Sequence, residues 1–141
     1  MRLHEKLDTL KTVSGGTRVM RALLVEDHLL FREVLAIVLE EETDLKGNAQ
    51  AGSLAEARRV LGCLSGEIDI VIVDLDLLDG DGISLIENIR ETETDVPVLA
   101  LVTGRSLERR ALALRAGASE VLSTASSGEK FVGAVKQLVA G

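Results

Sequence analysis

The chain has 141 residues, 46% hydrophobic and 28% charged, with a net charge of −7. That length gives one domain with a real core and is short for two, and the composition excludes a disordered chain. The acidic balance argues against a surface that grips a phosphate backbone, which needs clustered Lys and Arg. Phe31 and Phe131 are the only aromatic residues, so the core must be built from Leu, Val, Ile and Ala. A single cysteine, Cys63, excludes an internal disulfide and a cysteine-based zinc site, and in its apolar setting it reads as a small core residue. No stretch resembles a signal peptide or is long enough to span a bilayer, so a soluble cytoplasmic protein with no membrane association is expected.

Residues 1–19 form an N-terminal extension. Leu3, Leu7 and Leu10 have helical spacing in a polar background, and Ser14-Gly15-Gly16-Thr17 breaks it, so a partly helical or flexible tail is expected. From Met20 to the C-terminus the chain alternates. Residues 22–25 are a continuous apolar run, hence a strand buried on both faces. Residues 28–42 read as a helix with Leu30, Val34, Ile37 and Val38 on its apolar face. Residues 46–51 are a weak strand, since Gly47, Asn48 and Gln50 fit poorly there. Ser53-Leu54-Ala55-Glu56 has capping-box spacing, and the helix it opens continues over residues 57–64. Residues 68–73 are the strongest strand. Asp81 or Gly82 opens a helix to Arg90, with Asp81 in the capping role and Asp79-Gly80 as turn chemistry. Pro97, the only proline, stands at the start of a strand over 97–102. A helix over 107–116 is closed by Gly117, and a short strand over 120–123 follows. Ser126-Ser127-Gly128-Glu129 has capping-box spacing ahead of a last helix with Phe131, Val135, Leu138 and Val139 on its apolar face. Apolar strands alternating with amphipathic helices predict a parallel sheet covered on both faces.

Two of the apolar runs end in carboxylates: Glu26-Asp27 after the first, and Asp74 after the third. If those strands are neighbours, three carboxylates meet at the C-terminal edge of the sheet, where open α/β sheets bind ligands. Like charges so close cost stability unless a cation neutralises them. Mg2+ takes hard oxygen ligands and pairs with phosphate oxygens. A carboxylate beside such an ion can act as a nucleophile and form an aspartyl phosphate. Thr103-Gly104 ends the fourth strand, and its hydroxyl could hydrogen-bond a phosphoryl oxygen. A calcium-loop reading of the Asp-rich stretch fails, because Leu78 and Leu85 fall where oxygen ligands are required.

In this order and spacing, Glu26-Asp27, Asp74 with Asp81-Gly82 seven residues on, Thr103-Gly104 and Ala116-Gly117-Ala118 resemble the receiver (CheY-like) domains of two-component response regulators. The resemblance runs over residues 20–141. It implies a flavodoxin-like (βα)5 sandwich with a parallel five-stranded sheet of order 2-1-3-4-5. It implies Asp74 as phospho-acceptor and Thr103 as switch hydroxyl. Mg2+ would be held by Asp27, Asp74 and the backbone carbonyl of Asp76, with Glu26 acting through water. The implied partner is a sensor histidine kinase that supplies the phosphoryl group. Val25-Glu26-Asp27-His28 and residues 125–132 look most like receivers that precede a LuxR-type helix-turn-helix output domain. No such domain lies in this chain, so DNA is expected only as an indirect partner. The signalling role implies no enzyme beyond self-catalysed phosphotransfer.

The sequence departs from the family where the phosphoryl group is sensed. The expected Lys after the fifth strand is Thr124, the nearest Lys is Lys130, the aromatic switch position is Val121, and the residue before it is Glu120. Leu77 and Leu78 replace the usual loop residues. Arg105 is a candidate substitute cation, or a partner for Asp76. An alternative is an atypical receiver regulated by protein contacts or dimerisation without phosphorylation. The face of the fourth helix, fifth strand and fifth helix, with Glu108, Arg109, Arg110, Arg115 and Glu120, is the candidate homodimer surface. Asp74-Leu75-Asp76 also imitates a haloacid-dehalogenase-type phosphatase motif, although Leu78 stands where that motif wants Thr or Val. A dinucleotide-binding domain is disfavoured, since Glu26-Asp27 would repel a pyrophosphate.

Overall fold

A computed structural model describes residues 19–92 and 95–141; the expected N-terminal extension lies outside the described residues apart from Val19. The strands of the main sheet are β1 (Ala22–Val25), β2 (Ala49–Ala51), β3 (Ile70–Asp74), β4 (Val98–Val102) and β5 (Glu120–Ser123). The helices are α1 (Leu29–Glu42), α2 (Leu54–Cys63), α3 (Gly82–Thr92), α4 (Leu107–Ala116) and α5 (Gly128–Ala140). A short antiparallel ladder, Asp76–Leu77 with Gly80–Asp81, stands apart from the sheet between β3 and α3 and is left unnumbered. The five strands are parallel in the order β2-β1-β3-β4-β5, as expected.

Strand periodicity explains the uninterrupted apolar runs. Successive side chains point to opposite faces, and both faces here are covered. Leu23, Val25, Val71, Val73, Val98 and Ala100 pack under α2, α3 and α4. Ala22, Leu24, Ile70, Ile72, Leu99 and Leu101 pack under α1 and α5. Cys63 is half-buried against the first of these cores.

On α1 the expected apolar face is wrong except at Val38, which packs against the core. Leu30, Val34 and Ile37 are exposed, Leu30 by 74%, and the buried residues are Leu35 and Leu39, with Phe31, Ala36 and Val38 packed beside them. The helix carries two apolar stripes with the same spacing, and periodicity alone does not rank them. The stripe that includes the bulkiest side chain, Phe31, turns inward.

The cap of α2 is as expected: Ser53 Oγ accepts from the Glu56 amide at 3.1 Å. The reciprocal bond falls one residue earlier, from the Gly52 amide to Glu56 Oε1. On α5 the cap is Ser127 rather than Ser126, its Oγ accepting from the Lys130 amide. Asp81 Oδ1 accepts from the Ile83 amide at the start of α3, the role expected of it.

Gly82 is required by space. A Cβ there would lie 2.6 Å from the Asp74 carbonyl oxygen and 2.9 Å from Leu75 Cα, both backbone atoms that cannot swing away. Gly82→Ala should therefore destabilise the fold by about 1–3 kcal/mol, read as a lowered urea midpoint. An unchanged midpoint would contradict this packing.

Candidate functional site

Pairing of β1 with β3 puts Val25 opposite Val73, so the residues that follow each strand emerge together. One carboxylate oxygen each from Glu26, Asp27 and Asp74 lies within 4.8 Å of the other two. Glu26 and Asp74 are buried and Asp27 is half-buried. The three line a pocket of about 630 Å³ with His28, Leu30, Phe31, Val34, Asp76, Thr103 and Thr124. Each expected site residue therefore lines one cavity. No Lys or Arg is among the residues that line it. Thr124, where the resemblance expects a Lys, presents a hydroxyl, and Val121 is fully buried in the core.

Amides hold all three of these carboxylates. Asp74 Oδ1 accepts from the Asp76 amide at 2.9 Å, and Asp27 Oδ2 accepts from the Leu78 amide at 2.7 Å. Glu26 Oε1 accepts from the His28 amide at 3.0 Å, while Oε2 is buried and has no hydrogen-bond donor among the described residues. Burial pushes the Glu26 carboxyl up to about 8, aided by its hydrogen bond with Asp74 and by the charges of Asp74 and Asp27, and opposed by the His28 amide. A buried carboxyl in this setting ionises readily only when a cation supplies the missing counter-charge. Carboxylate oxygens are hard donors, and the unpartnered Oε2 leaves a lone pair available, so the cluster suits a hard divalent cation.

The ladder after β3 roofs this edge, and it is tied on three sides. Its Leu78 amide bonds Asp27. Asp79 is more than turn chemistry: its carboxylate accepts from the amides of Leu54 and Ala55 at 3.0 and 3.3 Å, capping α2. Those bonds, the Leu54 amide first, hold the Asp79 carboxyl below its ordinary value. The third tie is Arg109 on α4. Its Nη1 donates to Asp81 Oδ2 at 2.9 Å, and its Nη2 donates to Asp76 Oδ1 at 3.0 Å and to the Leu75 carbonyl at 3.2 Å. Arg105 is one candidate partner of Asp76 on the sequence; the structure puts Arg109 there, four residues further on. Leu77 is buried, whereas Leu78 is 94% exposed at the tip of the ladder.

Comparison with known proteins fits this geometry. A family model for the response regulator receiver domain matches residues 22–136. The transcriptional regulatory protein PhoP of Escherichia coli is 33% identical over 105 residues, 74% of this chain and 45% of that protein. The protein-glutamate methylesterase/protein-glutamine glutaminase of group 2 operon of Rhodospirillum centenum is 26% identical over 129 residues, 89% of this chain and 32% of that protein. The chain thus spans less than half the length of these curated relatives. The non-phosphorylated HemR receiver domain of Leptospira biflexa superposes with a TM-score of 0.79 at 28% identity, covering 86% of this chain and 95% of that one. A two-component response regulator of the LuxR family from Aurantimonas sp. SI85-9A1 gives 0.75 at 28% identity, covering 86% and 85%. With its motif residues gathered at one sheet edge and most of its length matched by the family model, the chain belongs to the response regulator receiver domain family.

Proposed function

We propose that the chain accepts a phosphoryl group on Asp74 from a phosphohistidine of a sensor kinase and passes that state to an output partner. The observation that carries this reading is the meeting of Glu26, Asp27 and Asp74 in one pocket with Thr103 on its rim. An Asp74 carboxylate oxygen would attack phosphorus; the new O–P bond forms as the P–N bond breaks, and the imidazole leaves with that electron pair. Mg2+, when bound, would neutralise charge on the transferring group. Asp27, Asp74 and the Asp76 carbonyl would hold it, with Glu26 reached through water. The Thr103 hydroxyl would donate to a phosphoryl oxygen.

The partner surface lies beside the pocket. Leu30 and Val34 both line it and continue into the exposed stripe that includes Ile37. A contiguous exposed apolar stripe of this kind suits a protein partner, here the kinase domain that carries the phosphohistidine. The exposed Leu107 and Leu114 on α4 offer a second surface, for an output domain or a second copy of the chain. A turnover phosphatase fits less well. Its general acid would be Asp76, and Asp76 is paired with Arg109. The same lack of a cation in the pocket favours a second reading, a receiver that works by protein contacts without phosphorylation.

Intact mass after incubation with Mg2+ and a small phosphodonor separates the two. The first reading expects one added phosphoryl group on the wild type and none on Asp74→Asn. Thr124→Lys should accelerate labelling, by about tenfold to a hundredfold, because a positioned cation stabilises charge developing on the phosphoryl oxygens. An unlabelled wild type would leave the second reading standing.

Glu26 also ties Mg2+ to pH. Its carboxyl titrates at about 8 in the fold against 4.5 as the ordinary value. Its contribution to stability is therefore full below the ordinary value and is lost as pH rises through the folded one. Mg2+ should replace what is lost. At about pH 8.5 saturating Mg2+ should raise Tm by roughly 5 °C, and at about pH 5.5 by clearly less. Equal increments at the two pH values, followed by thermal scanning, would contradict this assignment.

A further inference from the structure

α4 is held unevenly. Its C-terminal end is fixed, because Arg90 Nε donates to the Gly117 carbonyl at 2.9 Å and Nη1 to the Val96 carbonyl at 2.7 Å. The Gly117 amide closes back on the carbonyls of Ala113 and Leu114. The N-terminal half is barely embedded. Ala113 is the only buried residue of the helix, and Leu107 is 81% exposed. Among the described residues, every hydrogen bond that joins residues 107–112 to another element comes from the Arg109 side chain.

That guanidinium grips the neck of the ladder, where Leu75, Asp76 and Asp81 offer three acceptors. The Leu75 carbonyl also accepts from the Gly82 amide, so the neck is closed. The ladder hangs in turn on two pocket carboxylates, through the Asp76 amide on Asp74 and the Leu78 amide on Asp27. A continuous chain of contacts therefore runs from Asp27 and Asp74, through the ladder and Arg109, to the loosely packed half of α4.

We propose that Arg109 is a latch, a positioning residue that couples occupancy of the acidic pocket to the position of the N-terminal half of α4. The coupling rests on the reading of that pocket as a divalent-cation site. Amide bonds to an ionised carboxylate are stronger than bonds to a neutral acceptor. A cation that draws on the lone pairs of Asp27 and Asp74 competes with the amides of Leu78 and Asp76, and the ladder shifts. The planar guanidinium, fixed to three acceptors on that ladder, moves with it. Leu107, exposed on that half of α4, is then presented differently to a partner. Val121, buried on β5, offers no ring that could carry the signal by changing sides.

Amide NMR spectra of the full chain titrated with MgCl2 test the latch. In the wild type the amides of residues 74–82 and of 107–112 should shift with one common midpoint. Arg109→Gln should keep the 74–82 shifts and midpoint while the 107–112 shifts vanish. Arg109→Lys, which keeps a charge but loses the fork, should restore part of them. If Arg109→Gln does not fold, Asp81→Asn serves instead, because Asn still caps α3 while the ion pair to Nη1 is gone; it should reduce the 107–112 shifts selectively. Wild-type shifts confined to residues 74–82, or 107–112 shifts that persist in the folded variant, overturn the latch alone. If Mg2+ moves neither segment in the wild type, the cation-site reading fails and the latch falls with it.

Discussion

Three carboxylates forced together at the end of two neighbouring strands are the constraint on which this molecule turns. Glu26 and Asp74 are withdrawn from water, and one oxygen from each and one from Asp27 lie within 4.8 Å of one another. In water such a cluster would spread apart. Here the register of β1 against β3 forbids it, because both strands are locked on each face by apolar cores. The fold therefore carries an electrostatic cost at this edge. The chain meets part of it with the amides of Asp76, Leu78 and His28, and part by keeping the Glu26 carboxyl protonated to unusually high pH. The remainder suits a hard cation.

The segment after β3 distributes this tension. Asp79 caps α2, Arg109 clasps Asp76 and Asp81, and Gly82 lets α3 start against the backbone of Asp74 and Leu75. One short ladder thus touches the acidic pocket, α2, α3 and α4. Thr124 lines the pocket, and Val121 is part of the core. The Arg109 guanidinium, on α4, bonds Asp76 and Asp81 of the acidic loop.

The strands were readable because a doubly buried strand leaves an unbroken apolar run, as in Ala22–Val25 and Ile70–Asp74, whereas the order of the sheet came from the family resemblance. Glu26, Asp27, Asp74 and Thr103 were readable because each directly follows or ends such a run. The inward face of α1 was not, since Leu30, Val34 and Ile37 and the rival stripe of Phe31, Leu35 and Leu39 are both spaced for a helix. Arg109 was expected on an outer helix face rather than against the acidic loop. Its partner Asp76 lies 33 residues earlier, and no local spacing links the two. The capping of α2 by Asp79 is hidden in the same way, since a side chain 25 residues away from Leu54 leaves no local signature.

The most direct measurement is an anomalous-scattering map of crystals soaked in Mn2+, which stands in for Mg2+ at hard oxygen sites. The expected result is one peak at this edge, bonded to the carboxylates of Asp27 and Asp74 and to the Asp76 carbonyl, with Glu26 joined to it through water. No peak there, or a metal bound at this edge without Asp74, would contradict the carboxylate cluster as the centre of the protein's chemistry.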